Sequence, residues 1–313
     1  MKLKEIILTY VKGICMGAAD VVPGVSGGTI AFITGIYERF VLAIKSVNFA
    51  NLKLFFTGKW KLFWKNIDGT FLLCLFLGIG TSFLLLARLI TYWMSNYPVL
   101  VWAFFFGLIL ASTVFVSKSV QWNWKTILAF IIFAVLAFFI ASPQLAPLSQ
   151  NNALWYIFIC GAIAICAMIL PGISGSFILV LLGEYFYMMT VLSELQITVL
   201  LIFLCGAVLG LVTFANVIAW LFKHFKMLTL ASLTGFMFGS MNKIWPWKLT
   251  LETYVNNHGQ TLPLRQKNIL PPQIDSQFFI AIALIVVGFL LIFVIEKLAA
   301  RLHQQDAQKT TEA

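Results

Sequence analysis

An all-α polytopic membrane protein with an inverted-topology repeat is the class this sequence predicts, and three observations predict it. Hydrophobic residues make up 61% of the 313 and charged residues 10%, against roughly 25% charged in an average soluble domain. The apolar sequence divides into stretches close to membrane-spanning length. Two of those stretches are broken by near-identical runs, Pro23-Gly24-Val25-Ser26-Gly27 and Pro171-Gly172-Ile173-Ser174-Gly175. Apolar segments interrupted at matching places in two halves point to a membrane fold with a ligand site at the breaks.

The elements follow in order. Residues 6–44 are too long for one simple helix and break at Pro23 and Gly24. A basic loop, 45–69, comes next, then spans at 70–93, 98–117 and 126–140. The second broken segment, 153–190, breaks at Pro171 and Gly172. Spans at 197–222, 227–241 and 278–296 complete the set, about six full crossings in all. Each broken segment reads either as one kinked span or as a re-entrant pair of half-helices. Charge favours the hairpin for the first: Lys2, Lys4 and Lys12 precede it and Lys45, Lys53, Lys59, Lys61 and Lys65 follow, so both flanks are expected on the cytoplasmic side. Counting onward from there puts the second hairpin on the outer side and both termini in the cytoplasm. The outer loop, 242–276, holds Lys248, Arg265 and Lys267 beside Glu252 and Asp275, which costs the topology a little. No stretch resembles a cleaved signal peptide, so the first segment is expected to be retained.

The repeat extends past the motifs. Pro23 and Pro171, Gly35 and Gly183, and Tyr37 and Tyr185 are each 148 positions apart; Gly78 and Gly206, Gly107 and Gly235, and Ser112 and Ser240 are each 128 apart. The first half is read as residues 1–142, the second as 151–298, and the tail as 299–313. Three spans between the hairpins make equivalent elements enter from opposite faces, the arrangement that supports alternating access.

A Pro-Gly-x-Ser-Gly tip offers tight turns, free amides at a helix start, and hydroxyl donors. Ser26, Gly27, Gly28, Thr29, Ser174, Gly175 and Ser176 are therefore candidate contacts for a phosphate-sized or carboxylate-sized anion. The competing reading is that the breaks are structural and the hydroxyls cap their own backbone. Charges inside apolar sequence are informative because they are costly there. Arg88 is the first choice for binding phosphate oxygens; snorkelling to the outer surface or pairing with a carboxylate is its other reading. Asp20, whose counterpart is Met168, is a proton or cation site, or else it pairs with Lys12 or caps the next helix. Glu38 and Arg39 are candidates for gating, or a simple ion pair with each other at the inner surface. Glu184 is a second candidate for proton coupling.

Other chemistry finds no foothold. The chain has no glycine-rich nucleotide loop with its lysine, no H-E-x-x-H and no C-x-x-C pair. Its five cysteines lie in apolar segments without a metal-ligand pattern, and neither metal nor cofactor is expected. The three histidines lie outside the broken segments, so no catalytic base suggests itself and no enzyme is expected. A net charge of +10 on a membrane chain points to anionic lipid head groups, not to nucleic acid. Oligomeric state is not readable.

The run Gly17-Ala18-Ala19-Asp20-Val21-Val22-Pro23-Gly24-Val25-Ser26-Gly27-Gly28-Thr29, with Gly35-Ile36-Tyr37-Glu38 after it, resembles the bacterial DUF368 family, and Pro171-Gly172-Ile173-Ser174-Gly175-Ser176 resembles that family's second motif. The resemblance covers about residues 5–300. It implies a multi-pass protein of the bacterial plasma membrane that returns undecaprenyl phosphate from the outer to the cytoplasmic leaflet for reuse in peptidoglycan and other envelope polymers. Proton coupling at Asp20 or Glu184 is a further expectation. Transport of a small soluble anion or metabolite is the runner-up reading, and a non-transporting membrane scaffold is the third.

Overall fold

The computed structural model of the chain describes residues 3–21, 26–85, 87–142, 151–171, 174–255 and 261–311. Pro23, Gly24 and Gly172 lie outside the described residues. The first broken segment forms α1 (Leu3–Val21), α2 (Gly27–Ile33) and α3 (Tyr37–Ser46). Besides the break at the Pro-Gly run there is a second one, where α2 and α3 meet at 118°. Gly35 makes that turn with φ 70°, a left-handed conformation that a side chain resists. The basic loop contains two short helices, α4 (Phe49–Phe56) and α5 (Trp60–Asn66). The expected span at 70–93 falls on α6 (Gly69–Leu85) and α7 (Ala87–Asn96).

The next helices begin where local chemistry says they should. Pro98 opens α8 (Pro98–Lys118), a position where its missing N–H costs nothing. Asn123 and Thr126 form a reciprocal capping box at the start of α9 (Trp124–Ile140). The second broken segment repeats the first, with α10 (Leu154–Ile169), α11 (Gly175–Leu181) and α12 (Tyr185–Ser193). Its α11 and α12 meet at 115° about Gly183, φ 78°. The spans expected at 197–222 and 227–241 run together as α13 (Ile197–Ser240), kinked at Phe225, whose φ of −136° and ψ of 44° leave the helical region. The loop at 242–276 carries an antiparallel pair of strands, β1 (Lys248–Val255) and β2 (Thr261–Asn268), a β excursion among the otherwise helical described residues. The last helix is α14 (Ser276–Thr311). Helices α8, α13 and α14 are each long and apolar enough to cross a membrane, and three bent pairs pass the same test together, so the described residues hold three to six candidate spans.

Apolar side chains face outward as well as inward. Ile127, Leu128, Ile131, Ile132 and Val135 on α9 and Phe279, Ile280, Val286, Val287 and Leu290 on α14 are exposed. α9 and the first half of α14, Ser276–Val294, are apolar all round, as a lipid environment requires. The interior core joins Met16, Ile30, Tyr37, Phe71, Leu75, Trp102, Ile109, Ala215 and Met237, drawn from α1, α2, α3, α6, α8 and α13.

Close helix pairs are made by glycine. A Cβ on Gly13 would collide with the Leu75 carbonyl and one on Gly78 with the Tyr10 carbonyl, where α1 packs on α6. Gly161 stands the same way to the Phe203 carbonyl and Gly206 to the Phe158 carbonyl, where α10 packs on α13. Likewise Gly107 lies against the Ile285 carbonyl, and Gly235 against the Phe130 carbonyl. Small residues let backbones approach where lipid gives no hydrophobic drive to hold helices together. Gly206→Val should therefore lower the melting temperature of the purified protein in detergent, with overpacking costing about 1–3 kcal/mol. Gly80→Ala, whose added methyl meets nothing within 4 Å, should leave the melting temperature unchanged or slightly raised.

Candidate functional site

The first tip is closed by its own chain. Ser26 sits in extended conformation as the N-cap of α2, and its Oγ accepts from the Gly28 amide at 3.1 Å. The Thr29 amide donates to the Ser26 carbonyl at 2.9 Å. Asp20, from the last turn of α1, accepts from the Gly27 amide at 2.6 Å. A charged acceptor on a backbone N–H makes a strong bond in a dry setting, and it fills the place an external anion would take. Of the readings open for Asp20, the capping one matches this geometry. Lys12, its expected partner, instead donates to the Thr34 carbonyl at 2.8 Å.

That tip also touches the approach to the second. The Ser26 hydroxyl donates to the Met168 carbonyl at 2.8 Å, and Met168 is the repeat counterpart of Asp20. Gly28 lies so close that a Cβ there would stand 2.6 Å from the Ile169 carbonyl. Ser26 and Thr29 are fully buried. The first tip thus meets the end of α10 in the interior, through a hydroxyl and a glycine that the motif supplies.

The second tip is looser. Ser174 caps the Phe177 amide at 3.4 Å, and its hydroxyl lies 2.7 Å from that of Ser176, which is exposed. Gly175 packs on α10, where a Cβ would stand 2.8 Å from the Ala164 carbonyl. Lys243, in the turn after α13, places its ammonium over the Phe177 ring, 4.0 Å from the centroid. Lys248 in turn stands over Trp102 at 3.6 Å and donates to the Lys243 carbonyl at 2.5 Å. Burial pushes Lys243 down to about 8. Lys248 lies well below the usual lysine range, from burial first and the Lys243 charge second. Sequence reasoning passed over Lys243, and it treated Lys248 only as a cost to the topology. The available signal was their aromatic setting, Lys243 and Lys248 enclosing Trp245 and Trp247 directly after a span.

Glu38, Arg39 and Glu184 lie beyond the turns at Gly35 and Gly183, a short helix away from the tips. Glu38 and Arg39 do not pair with each other: Arg39 binds Asp68 through two bonds of 2.6 and 3.1 Å, and Glu38 binds Lys226 at 3.0 Å. Their opposite partners come from loop and kink residues that the fold brings to α3. Gly35, Glu38, Arg39 and Asp68 line an open pocket of about 520 Å³. Glu184 is fully buried at the far end of α11, with Oε1 accepting from the Asn151 amide at 2.6 Å and Oε2 without a partner. A seven-residue helix separates it from the second tip, roughly 10 Å at 1.5 Å per residue. Arg88 belongs to α7, and its side chain lies outside the described residues.

Comparison with known proteins adds the following. A family described as undecaprenyl phosphate translocase-like matches residues 16–262. A Vibrio cholerae protein named polyprenyl-phosphate transporter is 43% identical over 307 residues, covering 96% of this chain and 99% of that protein. A Staphylococcus aureus protein of the same name is 28% identical over 259 residues, covering 76% of this chain and 86% of its own length. No solved structure matches.

The Asp20 bond to Gly27 separates shape from charge. Asp20→Asn keeps an acceptor for the amide and should retain most of the thermal stability in detergent. Asp20→Leu leaves a buried N–H without a partner, a cost of about 1–3 kcal/mol, and should melt several degrees lower.

Proposed function

The chain belongs to the undecaprenyl phosphate translocase-like family, and on that footing we propose that it carries undecaprenyl phosphate from the outer to the cytoplasmic leaflet of the bacterial plasma membrane, recycling the lipid carrier. Its relatives bear the names of transporters, not enzymes. The observation that carries the reading is the meeting of two broken helices in an apolar interior, through Ser26 and the Met168 carbonyl. A phosphate moved through hydrocarbon needs its lost hydration replaced, and interrupted helices put polar groups at that depth. The prenyl chain stays in lipid, and a lateral opening between helices admits the head.

We read the two halves, residues 1–142 and 151–298, as an inverted repeat that rocks about these tips. The matched carbonyl contacts of Gly13 and Gly161, and of Gly78 and Gly206, support that reading. With both termini cytoplasmic, the pocket at Glu38 and Arg39 faces inward and the β-hairpin outward. Anionic lipids are expected at the basic loop. Arg88 stands as a further head-group ligand, with Ser26, Gly27, Gly28, Thr29, Ser174, Gly175 and Ser176 shaping the path. Asp20 and Glu184 are the proposed proton-coupling sites. Protonating Asp20 removes the charge from its bond to Gly27 and loosens the first tip, so a proton there couples to movement.

In proteoliposomes with labelled undecaprenyl phosphate, the wild-type protein should speed leaflet exchange, and Arg88→Ala should slow it at equal folded amount. A short-chain polyprenyl phosphate should compete and inorganic phosphate should not; the reverse order would assign a small soluble anion as substrate. Indifference of the rate to an imposed pH gradient would remove proton coupling, and chemical change of the lipid would make the protein an enzyme.

A further inference from the structure

We infer that Lys243, with Lys248 behind it, is the cation that receives the phosphate monoester head at the second hairpin tip, where Ser176 adds a hydroxyl. This deepens the proposed transport reading and rests on it. The geometry is specific to one half. Lys243 reaches Phe177, the residue after Ser176, with its ammonium 4.0 Å from the ring centroid. Its repeat counterpart is Phe115, that of Lys248 is Val120, and that of Phe177 is Thr29. The first tip has Asp20 on its amides instead. One tip is thus closed by a carboxylate and the other faced by a cation.

Among the described residues the two lysines are held together without an acid. The ion pairs among the described residues are Arg39 with Asp68, Lys226 with Glu38, and Arg265 with Glu252. Neither Lys243 nor Lys248 belongs to one. Lys248 uses one of its three donors on the Lys243 carbonyl, while the Lys243 ammonium meets, among the described residues, the face of Phe177. Partial burial lowers the basicity of both, so two ammonium groups at this spot are costly until an anion joins them. The turn that bears Lys243 is also fixed in place. Asn268 donates to the Asn242 carbonyl at 2.7 Å, and the Trp245 ring N–H donates to the Ile269 carbonyl at 2.8 Å. Aromatic faces that hold an ammonium without neutralising it leave its hydrogen-bonding capacity for a ligand. Phosphate oxygens are the matching acceptors, and lysine serves them as a point charge.

The test is equilibrium binding to the full chain in detergent, with farnesyl phosphate, inorganic phosphate and farnesol as probes. Wild type should bind farnesyl phosphate and not farnesol. Lys243→Met should weaken that binding by about tenfold or more, the usual scale for losing a charged hydrogen bond. Lys243→Arg should restore most of it, and Lys125→Met, an exposed lysine at the start of α9, should match wild type. Farnesyl phosphate bound within twofold of wild type by a folded Lys243→Met would overturn the inference. Should that variant not fold, Lys248→Met and Ser176→Ala carry the same test, and no loss in either would overturn it. Binding of inorganic phosphate in place of farnesyl phosphate, lost in Lys243→Met, would uphold the lysine site while defeating the lipid reading. Failure of wild type to bind any phosphate would defeat both.

Discussion

Interrupting a helix inside hydrocarbon leaves backbone groups without partners, and water is not there to take them. The rest of this structure depends on how that debt is met at two places. At the first break, Asp20 takes the Gly27 amide, Ser26 takes the Gly28 amide, and the Ser26 hydroxyl is given to the Met168 carbonyl. These bonds tie the end of α1, the start of α2 and the end of α10 into one joint. They also explain why the motif tolerates so little bulk, since Gly27 faces the Asp20 carboxylate and Gly28 the Ile169 carbonyl.

With the Gly27, Gly28 and Thr29 amides of the first tip bonded within the chain, the surrounding helices need only to be held close. Lipid tails are as apolar as leucine, so contact area and small residues do the holding. Glycines on α6, α8, α10 and α13 bring backbone against neighbouring carbonyls at corresponding positions of the two halves. Helices packed so tightly move as units. Motion is then left to the places where the chain bends, at Gly35, Gly183 and Phe225. The kink at Phe225 lies beside Lys226, whose partner Glu38 is on α3, so an ion pair joins the kink to the helix that follows α2.

Much of this was legible in the chain because it is written in short-range chemistry. Apolar length marked the spans, Pro98 stood at the start of one of them, and the paired Pro-Gly runs located the breaks. The turns at Gly35 and Gly183 were visible only as repeat markers, because a glycine in apolar sequence does not announce a positive φ. The partners of Glu38 and Arg39 were not legible at all. They come from Lys226 and Asp68, and only the fold sets those residues beside α3. Lys243 was missed for the same reason: its neighbour Phe177 is far away in sequence, and a lysine in a polar loop looks like a solvated one. Nor did composition foretell the β-hairpin, whose strands belong to a loop held by Asn268 and Trp245 against residues that flank it.

The inequality between the tips has a thermodynamic limit as well as a use. Two identical halves would offer the same site to either face, and the ligand would bind equally from both. In the proposed transport reading, Asp20 at one tip and Lys243 at the other would make the faces differ in affinity for an anion. A ligand shifts a conformational equilibrium only by the difference in its affinity for the two states, so this asymmetry sets which state the loaded protein prefers. It does not set net direction, because the preference that draws the head in from one side also slows its release to the other. Net direction must come from a gradient of the lipid or of an ion. If an ion supplies it, the joint at Asp20 is where its charge would be felt, since that carboxylate holds the closed tip by a bond that its own protonation weakens.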